Sequence, residues 1–231
     1  MSSAHPRWGA PRLHGELLKL GLRLVQATLA NYMVRHRKPP SQTWRTFLEN
    51  HAQELVSTDF FVVPTARFRL LFVFLVLSHT RRRLLHFGVT AHPTAEWTAR
   101  PLVQAFPWDS APRYLLRDRD PIYGEPFPAT VHSMGIHEVL TAPLSPWQNP
   151  YCQRLIGSIR RECLDHFIVC NAPGLQRTLK SYFEYYERSR THWSLDKDAP
   201  LTRALPPPEM GRVIELPPVG GLHHRYERRA A

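Results

Sequence analysis

Residues 143–166 read PLSPWQNPYCQRLIGSIRRECLDH, a proline-stiffened loop that runs into one helix. Asn149 followed by Pro150 is a helix-start pair: an Asn side chain can accept from the unpartnered backbone donors of a first turn, and proline fits the first helical position, where no donor is needed. The helix is therefore predicted to begin at Pro150. At about 100° per residue, Leu155, Ile156, Ile159, Cys163 and Phe167 share one arc; Gln153, Arg154, Gly157, Ser158 and Arg161 share the other, with Arg160 at the border. One arc packs. The other, by spacing alone, reads either as a solvated basic surface or as a face that meets an anion.

Charge sharpens that choice. The 231 residues carry 30 Lys and Arg against 19 Asp and Glu, a formal +11, which favours a polyanionic partner and points to nucleic acid. Residues 1–47 hold eight of the basic groups and a single acid, Glu16, for a net +7. A hydrophobic share of 43% allows one full core plus a small appendage. Three cysteines, Cys152, Cys163 and Cys170, are odd in number and clustered, so they describe no disulfide framework, and their spacing does not make a zinc clip. The longest apolar run, Leu70–Leu77, is eight residues where a membrane span needs about twenty. The start, MSSAHPRWGAPRLHG, has neither the apolar core nor the cleavage site of a secretory signal.

Working outward towards the amino end, Leu13, Leu17, Leu18 and Leu20 form a helical stripe, Gly21 breaks it, and a second apolar period runs from Val25 to Met33. Two short helices with a tight turn outline a helix-turn-helix, or equally an ordinary helical hairpin with a basic exterior. On the second helix Gln26, Thr28 and Asn31 are types able to read base edges, and Arg35, Arg37 and Lys38 are types that contact phosphates. Pro39 and Pro40 close the module, and residues 41–50 are expected to link it to the core.

Between Leu55 and about Arg190 the elements come in a definite order. LVSTDFFVV around Asp59, Leu70–Leu77 and Arg82–Thr90 read as three strands. Thr94–Phe106 is helical, with Pro101 expected to kink or shorten it. Arg113–Arg117 is a strand ending at Asp118, Tyr123–Met134 a helix, His137–Thr141 a short strand, and the helix from Pro150 comes next. Leu175–Arg190 carries Leu179, Tyr182, Phe183 and Tyr186 at helical spacing, which reads as a packing stripe. Pro200–Pro218 is rich in proline and is expected to form an extended strap, followed by a short, mobile basic tail of Arg225, Arg228 and Arg229. Three strands, then helix, strand, helix, strand, helix is the order of an α/β, ribonuclease H-like fold: a mixed sheet with flanking helices. The first and fourth strands would lie side by side, bringing Asp59 next to Asp118 at a strand's carboxyl end. On their own both acids also read as ordinary turn or capping residues, and Asp120 reads as a turn residue before Pro121.

NPYCQRLIGSIRRECLDH resembles the last catalytic segment of the integrase core shared by retroviral integrases and bacterial insertion-sequence transposases, whose usual form is close to NPYAERFIGSIRRECLDH. LLRDRDPIYG resembles the second segment of that core, YFEYYERSRTHWSL its closing segment, and WGAPRLHGELLKLG the helix-turn-helix before it. Together these run from about Trp8 to Leu201. The resemblance implies three domains: a small all-α helix-turn-helix DNA-binding module over 1–48, short by one helical module against the family pattern, an integrase core over 49–200 and a tail over 201–231.

The family's site is two aspartates and a glutamate that hold two Mg2+ ions for phosphodiester cleavage and strand transfer. Carried over, Asp59 and Asp118 are the metal ligands, and Gln153, 35 positions after Asp118, stands where the catalytic glutamate belongs. An amide carries no charge, so the second metal would be weakened and catalysis impaired. Glu162 is nine positions further along the helix, half a turn away in phase, and cannot replace it. Arg154, Arg160 and Arg161 join Arg35, Arg37 and Lys38 as expected DNA contacts. The implied partners are double-stranded DNA, as element ends and as target, and further copies of the chain on that DNA, with neither a membrane nor a small-molecule substrate. The implied setting is the bacterial cytoplasm, at the nucleoid. The alternative is an inactive DNA-binding relative that acts as a non-catalytic partner or regulator of intact transposase copies.

Overall fold

The computed structural model describes residues 10–22, 24–32, 43–107, 110–204 and 207–229. Arg35, Arg37 and Lys38, expected as phosphate contacts, lie outside the described residues, as does the side chain of Asn31. The chain forms two compact units, residues 1–43 and 44–231. The first holds α1 (Ala10–Lys19) and α2 (Gln26–Tyr32). The break between them falls at Gly21, whose φ of 77° is a conformation only glycine adopts freely.

The second unit contains α3 (Trp44–Asn50), β1 (Leu55–Pro64), β2 (Leu70–Ser78), β3 (Leu84–Thr90), α4 (Ala95–Ala105), β4 (Tyr114–Arg117), α5 (Pro126–Ser133), β5 (His137–Leu140), α6 (Pro150–Glu162), α7 (Ala172–Arg188), β6 (Arg212–Leu216) and β7 (Arg225–Arg229). Strands β1 to β5 make one sheet in the order β3-β2-β1-β4-β5, antiparallel through β3, β2 and β1 and parallel through β1, β4 and β5. This is the ribonuclease H-like arrangement, a mixed sheet with helices on both faces.

Alternation along the strands decides what each face meets. From β1 and β2, Phe61, Val63, Val73, Leu75 and Leu77 pack with Leu155, Ile159, Leu179 and Tyr182 of α6 and α7. Val56, Phe74 and Val76, one residue out of phase, pack with Leu102 of α4 and Phe127 and Val131 of α5. Each large apolar side chain buried this way contributes about 1.5–3 kcal/mol, so a slip of one residue would forfeit both layers at once. Glycine permits one close approach: a Cβ at Gly88 in β3 would stand 2.9 Å from the Trp97 ring of α4.

Four local expectations are corrected. Residues 44–50 are not a linker but α3, held to the second unit because the Trp44 indole donates to the Gln148 carbonyl at 3.0 Å and Phe47 packs edge-on to Tyr114. Pro101 is buried inside α4, which runs on past it to Ala105 and is not shortened by it. The end of the expected strap and the basic tail are instead strands of one β6–β7 hairpin, in which Val213 pairs with Arg228 and its neighbours pair antiparallel. On α6, Ser158 is buried rather than exposed and Phe167 lies beyond the helix end, 37% exposed; the helix is flanked on two sides, which a single-arc reading does not anticipate.

Candidate active site

The parallel pairing of β1 with β4 sets Ser57 against Leu116. Carried two residues further, that register brings Asp59 level with Asp118. Asp59 shares the phase of Ser57 and Phe61, so its side chain is on the α6 face of the sheet. Asp59, Asp118, Asp120, Asn149 and Gln153 line one cavity of about 380 Å³, walled by residues 141–146. The structure therefore brings Asp59, Asp118 and Gln153 together.

Hydrogen bonds define how they meet. The Gln153 Nε2 group donates to Asp59 Oδ2 at 2.8 Å, and the Phe60 backbone N–H donates to Asp59 Oδ1 at 2.8 Å. In the ionised form of Asp59 the carboxylate can only accept, and the Gln153 amide presents its N–H to it. Asn149 adds a residue that sequence reasoning assigned elsewhere. It makes no cap bond to its own helix; its Nδ2 donates to the Thr58 carbonyl at 3.1 Å and to Asp59 Oδ2 at 3.4 Å, and the residue is 3% exposed. The signal was available: Asn149 precedes Gln153 by four, one helical turn on the same face.

Asp118 follows the end of β4 and is steadied from both sides. Its Oδ1 accepts from the Asp120 backbone N–H at 3.2 Å, and its carbonyl accepts from Arg117 Nη1 at 2.8 Å. Arg117 is itself paired to Glu138 at 2.6 Å and lies over the Tyr123 ring. Asp120 lines the cavity yet accepts from the Ile122 N–H at 2.9 Å, which is the turn role its position before Pro121 suggested. Glu162 is elsewhere. It receives Arg190 through Nε at 2.7 Å and Nη2 at 2.6 Å, and the Tyr182 hydroxyl at 2.9 Å.

Burial first, and the Asp118 charge second, push the Asp59 carboxyl up to about 7, against the pull of the Phe60 and Gln153 donors. Asp118 is also raised, chiefly by burial. Cys152, buried beneath the site, is pushed well above the ordinary thiol range, again by burial first and then by Asp59, so it stays a neutral thiol. Among the described residues no group of three or more His, Cys, Asp and Glu is placed to hold a metal. Two neighbouring carboxylates with raised pKa values fit one hard divalent cation, which would relieve their repulsion. Gln153 is a neutral amide with its N–H turned to Asp59, so it adds no charge to such a site.

The arginines of α6 diverge. Arg154 and Arg161 line a second cavity, of about 430 Å³, with Arg82, Arg190 and Trp193. Arg160 instead reaches over the Phe61 ring, 6.0 Å from its centroid.

Comparison with known proteins agrees with this fold. Residues 134–200 match the integrase core domain family. An uncharacterized 39.2 kDa protein of insertion element IS476 from Xanthomonas euvesicatoria is 24% identical over 213 residues, covering 87% of this chain; the chain spans about 61% of the length of that relative. Among solved structures, the simian T-cell lymphotropic virus intasome in complex with PP2A regulatory subunit B56 gamma superposes with a TM-score of 0.52 at 14% identity, over 94% of this chain and 86% of that one. The Mos1 transposase catalytic domain, determined with raltegravir and Mn, superposes with a TM-score of 0.51 at 12% identity, over 61% of this chain and 74% of that one. The chain is built on the catalytic-core fold of transposases and retroviral-type integrases, and the resemblance carried by its motifs extends to its three-dimensional structure. Among the described residues no helix is long and apolar enough to cross a membrane.

Proposed function

We propose that the chain is a transposase or integrase type of DNA-binding protein, a polynucleotidyl transferase by lineage, whose catalytic step is impaired by Gln153. The observation that carries the reading is the convergence of Asp59, Asp118 and Gln153 on one cavity at the carboxyl end of β4. A divalent cation held by Asp59 and Asp118, as the Mn in the Mos1 domain suggests, would supply activation of the attacking hydroxyl in phosphodiester cleavage and strand transfer.

The residues of the chain divide the remaining work. Asn149 and the Phe60 N–H orient the Asp59 carboxylate, and Arg117 steadies the strand end that presents Asp118. Gln153 sits where a third carboxylate would complete the charge of a two-metal site, and it supplies an N–H instead. It can neither neutralise a second cation nor accept a proton well. That loss is worth several kcal/mol of transition-state stabilisation, roughly a thousandfold or more in rate. The basic amino-terminal unit, read as a helix-turn-helix, would hold duplex DNA by its phosphates, and Arg154, Arg160 and Arg161 would add phosphate contacts to the same DNA, with further copies assembling on it. The uncharged Gln153 also favours a second reading: an inactive relative that binds the same DNA and assembles with intact copies.

Mg2+-dependent nicking and joining, measured on a duplex carrying the ends of the element, tests the first reading. The native chain should be nearly silent, Gln153→Glu should gain at least about a thousandfold, and Asp118→Asn in that background should abolish the gain. Equal rates for the native chain and Gln153→Glu would refute the impairment, and silence in both would leave the non-catalytic reading standing.

A further inference from the structure

The second cavity, on the flank of α6 beside the carboxylates, is a built concavity that the proposed chemistry does not use. Its charged wall is Arg82, Arg154, Arg161 and Arg190. Arg190 is committed to Glu162, but among the described residues Arg82, Arg154 and Arg161 form no ion pair. Three uncompensated guanidinium groups around one hollow repel one another unless an anion joins them, and their planar forks suit phosphate.

Two of them are held in place. Arg82 lies over the Tyr151 ring, 4.8 Å from its centroid, and Tyr151 stands edge-on to buried His79 at 4.6 Å. Arg161 folds back along its own helix, where a Cβ on Gly157 would come within 3.2 Å of its Nη1. Glycine inside a helix costs about 1 kcal/mol against alanine, and here its missing side chain leaves room for that guanidinium. Burial first, and Arg190 second, lower His192 to about 4, so this histidine adds no charge at neutral pH.

At the rim stands Trp193, 87% exposed, with Lys197 Nζ 5.6 Å from its ring centroid. An indole left in water beside a ring of arginines is the pairing that takes a nucleotide: cations for the phosphate and an aromatic face for the base. The hollow, about 430 Å³, accommodates one such unit and not the width of a duplex, and bases stacked inside a duplex have no free face to offer. We propose that this cavity binds an unpaired nucleotide of a DNA strand, its phosphate against Arg82, Arg154 and Arg161 and its base stacked on Trp193. The proposal rests on the reading of the chain as a DNA-binding protein. Gln153 and Arg154 are consecutive on α6, so a strand end frayed at the carboxylates meets this flank next.

Binding of the full chain to two labelled duplexes, one blunt and one ending in two unpaired nucleotides, tests it in the absence of metal by fluorescence anisotropy. The tailed duplex should bind about tenfold more tightly, as expected for one stacked base. Trp193→Ala, an exposed position whose loss leaves the core intact, should reduce that preference to within about twofold and leave blunt-duplex affinity within about twofold. The double substitution Arg154→Ala, Arg161→Ala should also remove the preference. Blunt-duplex binding with no preference for the tail, or a preference that survives Trp193→Ala, overturns this assignment alone. Absence of binding to either duplex overturns it together with the DNA reading beneath it.

Discussion

Gln153 and Glu162 belong to the same helix and meet opposite surroundings. Gln153, in the first turn, offers an N–H to a buried carboxylate whose pKa is raised to about 7. Glu162, in the last turn, is a carboxylate met by three donors from Arg190 and Tyr182; burial would raise it, but those partners hold it below the ordinary range. Charge on α6 is therefore tied to the fold at one end and withheld at the other, where the family glutamate would stand. A structural acid needs a dedicated cation from its own chain. A catalytic acid would be left facing other acids, and it destabilises the fold unless a metal arrives.

The largest effect that can break this contrast is on stability. Glu162→Gln leaves the half-buried Arg190 without its counter-charge and should cost about 2–3 kcal/mol in urea unfolding, whereas Gln153→Ala should cost less than about 1 kcal/mol. Similar losses at the two positions would mean that Gln153 is as structural as Glu162.

A smaller effect appears in the pH dependence. Because the folded pKa of Asp59 is raised from 3.8 to about 7, the folded chain keeps a proton there that the unfolded chain releases. The associated stability is fully present below the ordinary carboxylate range and is lost as pH rises through about 7. Asp59→Asn should flatten the decline in Tm between pH 5 and 8. Gln153→Glu should steepen it by about 1 kcal/mol, or a few degrees, and millimolar Mg2+ should reverse that steepening in the Glu variant. A profile for Gln153→Glu that runs parallel to the native one would place residue 153 outside the field of the two aspartates.

The smallest effect separates the arginines between those ends. If Arg160, extended past Phe61, contacts one phosphate of a duplex, Arg160→Ala should reduce the slope of log affinity against log salt by about 0.9, leaving sequence preference unchanged. An unaltered slope across a salt series would confine the role of Arg160 to its contact with Phe61.

Much of this molecule was legible in its residues. The order of elements from β1 to α6, the start of α6 at Pro150, the turn role of Asp120 and the separation of Glu162 from the site come from periodicity, turn chemistry and helical phase, all of which act over a few residues. Tertiary structure alone decided the rest. Asn149 looked like a cap for its own helix, and only the packing of α6 against β1 offered its amide a better partner in Asp59. Helical phase set Arg160 at the border of the arc that holds Arg154, but only tertiary packing gave Arg160 the Phe61 ring and Arg154 the Tyr151–Trp193 cavity. Local sequence determines which groups a helix carries and at what angle. Which of them becomes a ligand, a cap or a counter-ion depends on partners far away in the chain, as Asn149 is from Asp59 at 90 positions, and no window of spacing contains them.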